Sequence, residues 1–140
     1  AGSGPLIDLL SQISRPQIFS NALPPCVAAS ALKAIQILLS DPAIMQKLRS
    51  NIAYLRKRLK EKGIDPLEGE SAIVPVIIGD TAKAIEISNA MLEQGVMVTG
   101  FGYPVVPEGK ARIRLQVSAA LTEKEIDRVV EVFENALHNN

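Results

Sequence analysis

Ala111-Arg112-Ile113-Arg114-Leu115-Gln116-Val117 alternates apolar and polar side chains without a break, the signature of a strand whose residues point to opposite faces of a sheet. Ile113, Leu115 and Val117 form a core face. Arg112, Arg114 and Gln116 form the opposing face, rich in hydrogen-bond donors. A guanidinium grips a carboxylate or phosphate through two parallel N–H bonds, so this face reads as an anion clamp rather than a source of general acid or base. A plainly solvated sheet face is the simpler reading of the same letters, and the neighbouring sequence must decide between them.

Working outward, Thr122-Glu-Lys-Glu125 is a capping box that opens a helix with Ile126, Val129, Val130, Phe133 and Leu137 as its inward stripe. Upstream, Ala72 to Ile78 is a short apolar run whose Pro75 favours a sheet edge. A helix follows from Thr81 to Gln94, then a strand over Val96–Thr99, and a Gly- and Pro-rich loop from Gly100 to Lys110. Strand, helix, strand, strand, helix predicts an α+β domain: a small, mostly antiparallel sheet with both helices on one face.

The N-terminal half is helical in pattern. Pro5 fits the first turn of a helix through about Gln12, ended at Arg15-Pro16, and Pro24-Pro25 opens a second helix to Ser40 that is apolar nearly all round. Asp41-Pro42 starts a third, with Met45, Leu48, Ile52, Leu55 and Leu59 inward and Gly63 as its stop. Its basic face reads as solvated. The polar link Asp65–Ser71 divides a helical connecting segment, 1–64, from the α+β domain, 65–140.

Balanced charge, with 15 basic and 15 acidic residues, leaves no diffuse attraction for nucleic acid or an anionic membrane. Neither is expected as a partner. One cysteine, Cys26, excludes an internal disulfide and a cysteine-cluster metal site, and points to a reducing, cytoplasmic location. No metal-ligand spacing, paired carboxylates or Gly-rich phosphate loop is present. All eight lysines fall on polar helix positions or in a loop, where nothing desolvates them as an imine-forming amine requires. Two segments look more like site than scaffold. Phe19-Ser20-Asn21-Ala22-Leu23-Pro24-Pro25 sets a hydroxyl and an amide before a helix start, suited either to phosphate or to simple capping. Phe101-Gly102-Tyr103-Pro104-Val105-Val106-Pro107 is a stiff, apolar loop that either lines a pocket mouth or packs as a crossover.

Taken together, Arg15-Pro16 through Pro25, Pro75 through Asp80, Val98 through Pro107 and Gly109 through Ala120 resemble the C-terminal part of the α-oxoamine synthases, pyridoxal-phosphate enzymes of the type I, aspartate aminotransferase fold. The resemblance spans the chain. It is strongest to the branch that joins glycine to acetyl-CoA, releasing CoA and giving 2-amino-3-oxobutyrate in threonine and glycine metabolism. A sibling branch takes alanine and a pimeloyl thioester. The resemblance implies that Arg114 grips the amino-acid carboxylate with Arg112 in support, that Tyr103 borders the substrate entrance, and that Ser20 and Asn21 reach the cofactor phosphate across a homodimer interface. It also implies that the Schiff-base lysine lies upstream of Ala1, so that no catalytic residue is expected in this chain, which is expected to be inert and cofactor-free alone. Leu121 stands where the family commonly has histidine. From a different class, an independent α+β module that reads a small anion through Arg112 and Arg114 accounts for the same strand.

Overall fold

The computed structural model describes residues 2–20 and 23–138, which divide into two compact units, Ala1–Ser40 and Asp41–Asn140. In the first unit, α1 (Gly4–Ile13) stops where Ser14 turns extended, and α2 (Arg15–Ile18) starts at once. The sequence predicted only a stop at Arg15-Pro16; the fixed φ of Pro16 suits the first turn of a new helix equally well. Pro25 opens α3 (Pro25–Ser40), as expected. None of the described residues in these three helices is buried.

The second unit carries α4 (Pro42–Glu61), β1 (Ile73–Gly79), α5 (Thr81–Glu93), β2 (Thr99–Phe101), β3 (Ala111–Gln116) and α6 (Glu123–His138). The strands form one antiparallel sheet in the order β1-β3-β2. This is the α+β arrangement read from the sequence. Val74 faces Leu115 and Val76 faces Ile113 across the β1–β3 ladder, and these residues meet Ile87 and Met91 of α5 and Ile126, Val130 and Phe133 of α6 in a single core. Pro75 lies on an edge strand, where its missing N–H breaks no ladder bond, and its carbonyl accepts the Leu67 N–H at 2.8 Å.

Helix termini follow their capping chemistry. Asp41 accepts from Ala43 N–H, Asp80 from Lys83 N–H, and Thr122 and Glu125 bond reciprocally, with the Thr122 N–H donated to Glu125 Oε2 at 2.8 Å. Gly63 and Gly95 end α4 and α5 with φ of 70° and 80°, each inside paired bonds that close the last turn.

Helix α4 packs on α6 and belongs with the sheet, whereas the sequence pattern grouped it with the preceding helices. Ile52, Leu55 and Leu59 of its predicted stripe are buried, while Met45 is exposed. Three polar side chains on α4 complete the junction. Asn51 is 1% exposed, and its amide donates to the carbonyls of Ser118 and Leu121, both at 2.9 Å. Arg58, read as part of a solvated basic face, instead bonds Asp127 of α6 at 2.6 Å, with Tyr54 donating to the same carboxylate at 3.1 Å. The Arg58 guanidinium holds the Asp127 carboxyl below its ordinary range, against the opposing effect of burial.

Strand β2 corrects the sequence reading: it begins at Thr99, not Val96. Val96 N–H is taken by Met91 O at 2.9 Å and Val98 O accepts from the Ser88 hydroxyl at 3.0 Å, so both are tied to α5 before the ladder starts. Gly100 then passes so close to α5 that a Cβ there would lie 2.7 Å from the Ala84 carbonyl oxygen.

Two outcomes follow. Gly100→Ala forces backbone apart and is expected to cost about 1–3 kcal/mol, measured by urea unfolding. Asp127 has its carboxyl pKa lowered in the fold, so its contribution is present above the unfolded value of about 3.9 and is lost as pH falls below it. Thermal scans are expected to show Tm falling on acidification through that window, with a shallower fall in Asp127→Asn.

Candidate functional site

The alternation along β3 survives intact. Ala111, Ile113 and Leu115 are buried, whereas Arg112 is half-buried and Arg114 and Gln116 are exposed on the opposite face. Cross-strand register decides their company. Arg114 sits between Pro75 of β1 and Thr99 of β2; Arg112 sits between Ile77 and Phe101; Gln116 pairs with Ile73. Residues paired across an antiparallel ladder share a face, so one surface carries two arginines about 7 Å apart along the strand, flanked by apolar side chains and a threonine. No residue on this surface is buried, because α4, α5 and α6 all join the core on the other side.

The two guanidiniums are held differently. Arg112 Nε donates to the Lys110 carbonyl at 3.1 Å, which anchors that side chain at the strand entrance. Arg114 lies with its Cζ 4.8 Å from the centroid of the Phe101 ring, a cation–π contact. Beside it is an open depression of about 460 Å³ bordered by Met97, Val98, Thr99, Gln116, Val117 and Ser118. This arrangement is suited to holding a small carboxylate-bearing molecule against the sheet. Phe101 is the residue that the sequence reading missed, since it was grouped with the following loop; β2 reaching Phe101 is what brings it onto the face.

Tyr103 lies two residues beyond β2. Its side chain is exposed, and its backbone N–H donates to Thr81 Oγ1 at 3.3 Å, fixing the loop to the start of α5. Ser20 lies in the first unit, where its hydroxyl donates to the Gln17 carbonyl at 2.9 Å. Asn21 is outside the described residues.

A larger groove, about 720 Å³, runs along α4 beside Gly69–Ala72 and contains Arg49, Arg56 and Glu70. None of the site residues read from the sequence borders it. Arg56 is already engaged, donating to the Leu67 carbonyl at 2.6 Å, and Glu70 sets a carboxylate against any incoming anion. The sheet face is the better anion reader.

Arg112 and Arg114 could hold a carboxylate, whereas no lysine is placed where it could anchor a carbonyl cofactor as an imine. Every lysine of the chain is described and none is buried. An amine that forms an imine near neutral pH needs desolvation or a neighbouring cation to shed its proton. Among the described residues no cluster of metal-binding side chains occurs, and no single helix is long and apolar enough to cross a membrane.

Residues 1–133 match the family profile described as aminotransferase class I and II. The chain is 43% identical over 132 residues to the mitochondrial 2-amino-3-ketobutyrate coenzyme A ligase of Mus musculus, covering 94% of this chain and 32% of that protein. It is 44% identical over 133 residues to the 8-amino-7-oxononanoate synthase of Symbiobacterium thermophilum, covering 95% and 34%. Among solved structures, a serine palmitoyltransferase from S. paucimobilis with bound PLP–myriocin aldimine superposes with a TM-score of 0.88 at 30% identity, over 99% of this chain and 35% of the other. The chain thus spans about a third of the length of the curated relatives it matches.

Proposed function

The chain belongs to the aminotransferase class I and II family, and on that footing we propose that it is the substrate-gripping C-terminal portion of a pyridoxal-phosphate-dependent α-oxoamine synthase. Relatives of both 2-amino-3-ketobutyrate and 8-amino-7-oxononanoate type support the α-oxoamine synthase branch. The observation that carries the reading is the uncovered face of β3, where Arg114 keeps its donors for a carboxylate between Thr99 and Pro75.

In this reading the parent enzyme joins glycine to acetyl-CoA. The glycine α-carbon loses a proton and bonds to the acetyl carbonyl carbon, and the thioester breaks to release CoA. Pyridoxal phosphate, when bound, supplies an electron sink for the α-carbon. Arg114 binds and orients the amino acid through its carboxylate, Arg112 adds positive potential beside it, and Tyr103 borders the entrance. Ser20 and Asn21 are assigned to the cofactor phosphate. A homodimer is part of the same reading, supported by the exposed apolar side chains Leu6, Leu9, Val27, Leu32, Ile35 and Leu39 of α1 and α3. So are a cytosolic location and a helical connecting segment, which ends at Ser40 rather than at residue 64 because α4 packs with the small domain.

Glycine as substrate rests on the Ser20-Asn21 pair and Tyr103-Pro-Val-Val-Pro107. A second reading, alanine with a pimeloyl thioester, is favoured by the 44% identity to the Symbiobacterium relative. A match over nearly the whole chain to an enzyme family speaks against an independent anion-binding module.

Assays of the complete protein with each substrate pair separate the two readings. At least tenfold higher kcat/KM for glycine with acetyl-CoA is expected, and the opposite preference sinks the glycine assignment. Arg114→Ala in that protein is expected to raise the amino-acid KM at least tenfold, about 1.5 kcal/mol for a lost charged hydrogen bond, with Arg114→Lys falling between because it cannot bond bidentately. The 140-residue chain alone, mixed with pyridoxal phosphate, is expected to show no protein-bound cofactor absorbance and no acyl transfer.

A further inference from the structure

We propose that Phe101 is a positioning residue for Arg114, holding the guanidinium in its binding pose; this rests on the reading that Arg114 takes the amino-acid carboxylate. Phe101 faces Arg112 across the β2–β3 ladder, and Arg114 lies two pairs further along, opposite Thr99. Diagonal neighbours at that offset are within reach of an aromatic ring and a long side chain. The guanidinium Cζ stands 4.8 Å from the ring centroid, and among the described residues the ring is its only specific partner.

The chemistry of the contact matters. A carboxylate or carbonyl partner would occupy N–H donors that a substrate needs. The Phe101 ring takes up none of the strong N–H···O bonds, so the N–H donors of Arg114 remain available to a substrate. An exposed arginine otherwise samples many rotamers and loses that freedom on binding. Biasing it beforehand raises affinity by no more than the bias itself, and an exposed cation–π contact sets that at about two- to fivefold.

The test uses the complete protein that carries this chain, with whichever of glycine and L-alanine it turns over. Phe101→Leu keeps apolar bulk but removes the π face. It is expected to raise both the calorimetric Kd and the KM for the amino acid about two- to fivefold, leaving Tm and the KM for the acyl thioester unchanged. Phe101→Tyr, which keeps the ring, is expected to match the parent. On an Arg114→Ala background, Phe101→Leu is expected to add nothing. The same rise on both backgrounds, or no rise while Arg114→Ala alone weakens binding, overturns the positioning role and leaves the carboxylate assignment standing. An Arg114→Ala variant with unchanged amino-acid binding overturns that assignment itself.

Discussion

The register of β3 between its two neighbours is the constraint on which the rest depends. Because strand side chains alternate, fixing Ile113 opposite Val76 and Leu115 opposite Val74 leaves Arg112, Arg114 and Gln116 no choice but the other face. A slip of one residue would bury two arginines among Ile87, Met91 and Phe133 and expose the core. The hydrophobic effect that assembles the core therefore also orients the arginine-bearing face, and one short strand presents both. The helices are secured around it by polar contacts at their edges. Asn51 ties α4 to the segment between β3 and α6, and Arg58, Tyr54 and Asp127 tie α4 to α6 directly.

Much of this was legible in the sequence, and what was missed has a common cause. Local chemistry marks its own position: the capping box at Thr122, the stops at Gly63 and Gly95 and the alternation of β3 each depend on a few adjacent residues. Partners distant along the chain leave no such mark. Arg58 looks like any lysine or arginine on a basic helix face until α6 brings Asp127 beside it, 69 residues later. Asn51 looks polar and outward until two carbonyls close over it. The start of β2 was misplaced because Val96 and Val98 have strand-like side chains but lend their backbone groups to α5, and only tertiary packing reveals that.

The site divides along the same line. Arg114 and Arg112 announce themselves by residue type and spacing. Phe101 does not, because its value comes from a diagonal contact across a ladder whose register the sequence leaves open. None of the eight lysines is buried.

The most direct measurement is a crystal structure of the complete protein with its amino-acid substrate bound. Both carboxylate oxygens are expected within hydrogen-bond distance of the Arg114 guanidinium, with its Cζ still over the Phe101 ring. A carboxylate seated elsewhere, with Arg114 turned into solvent, contradicts it.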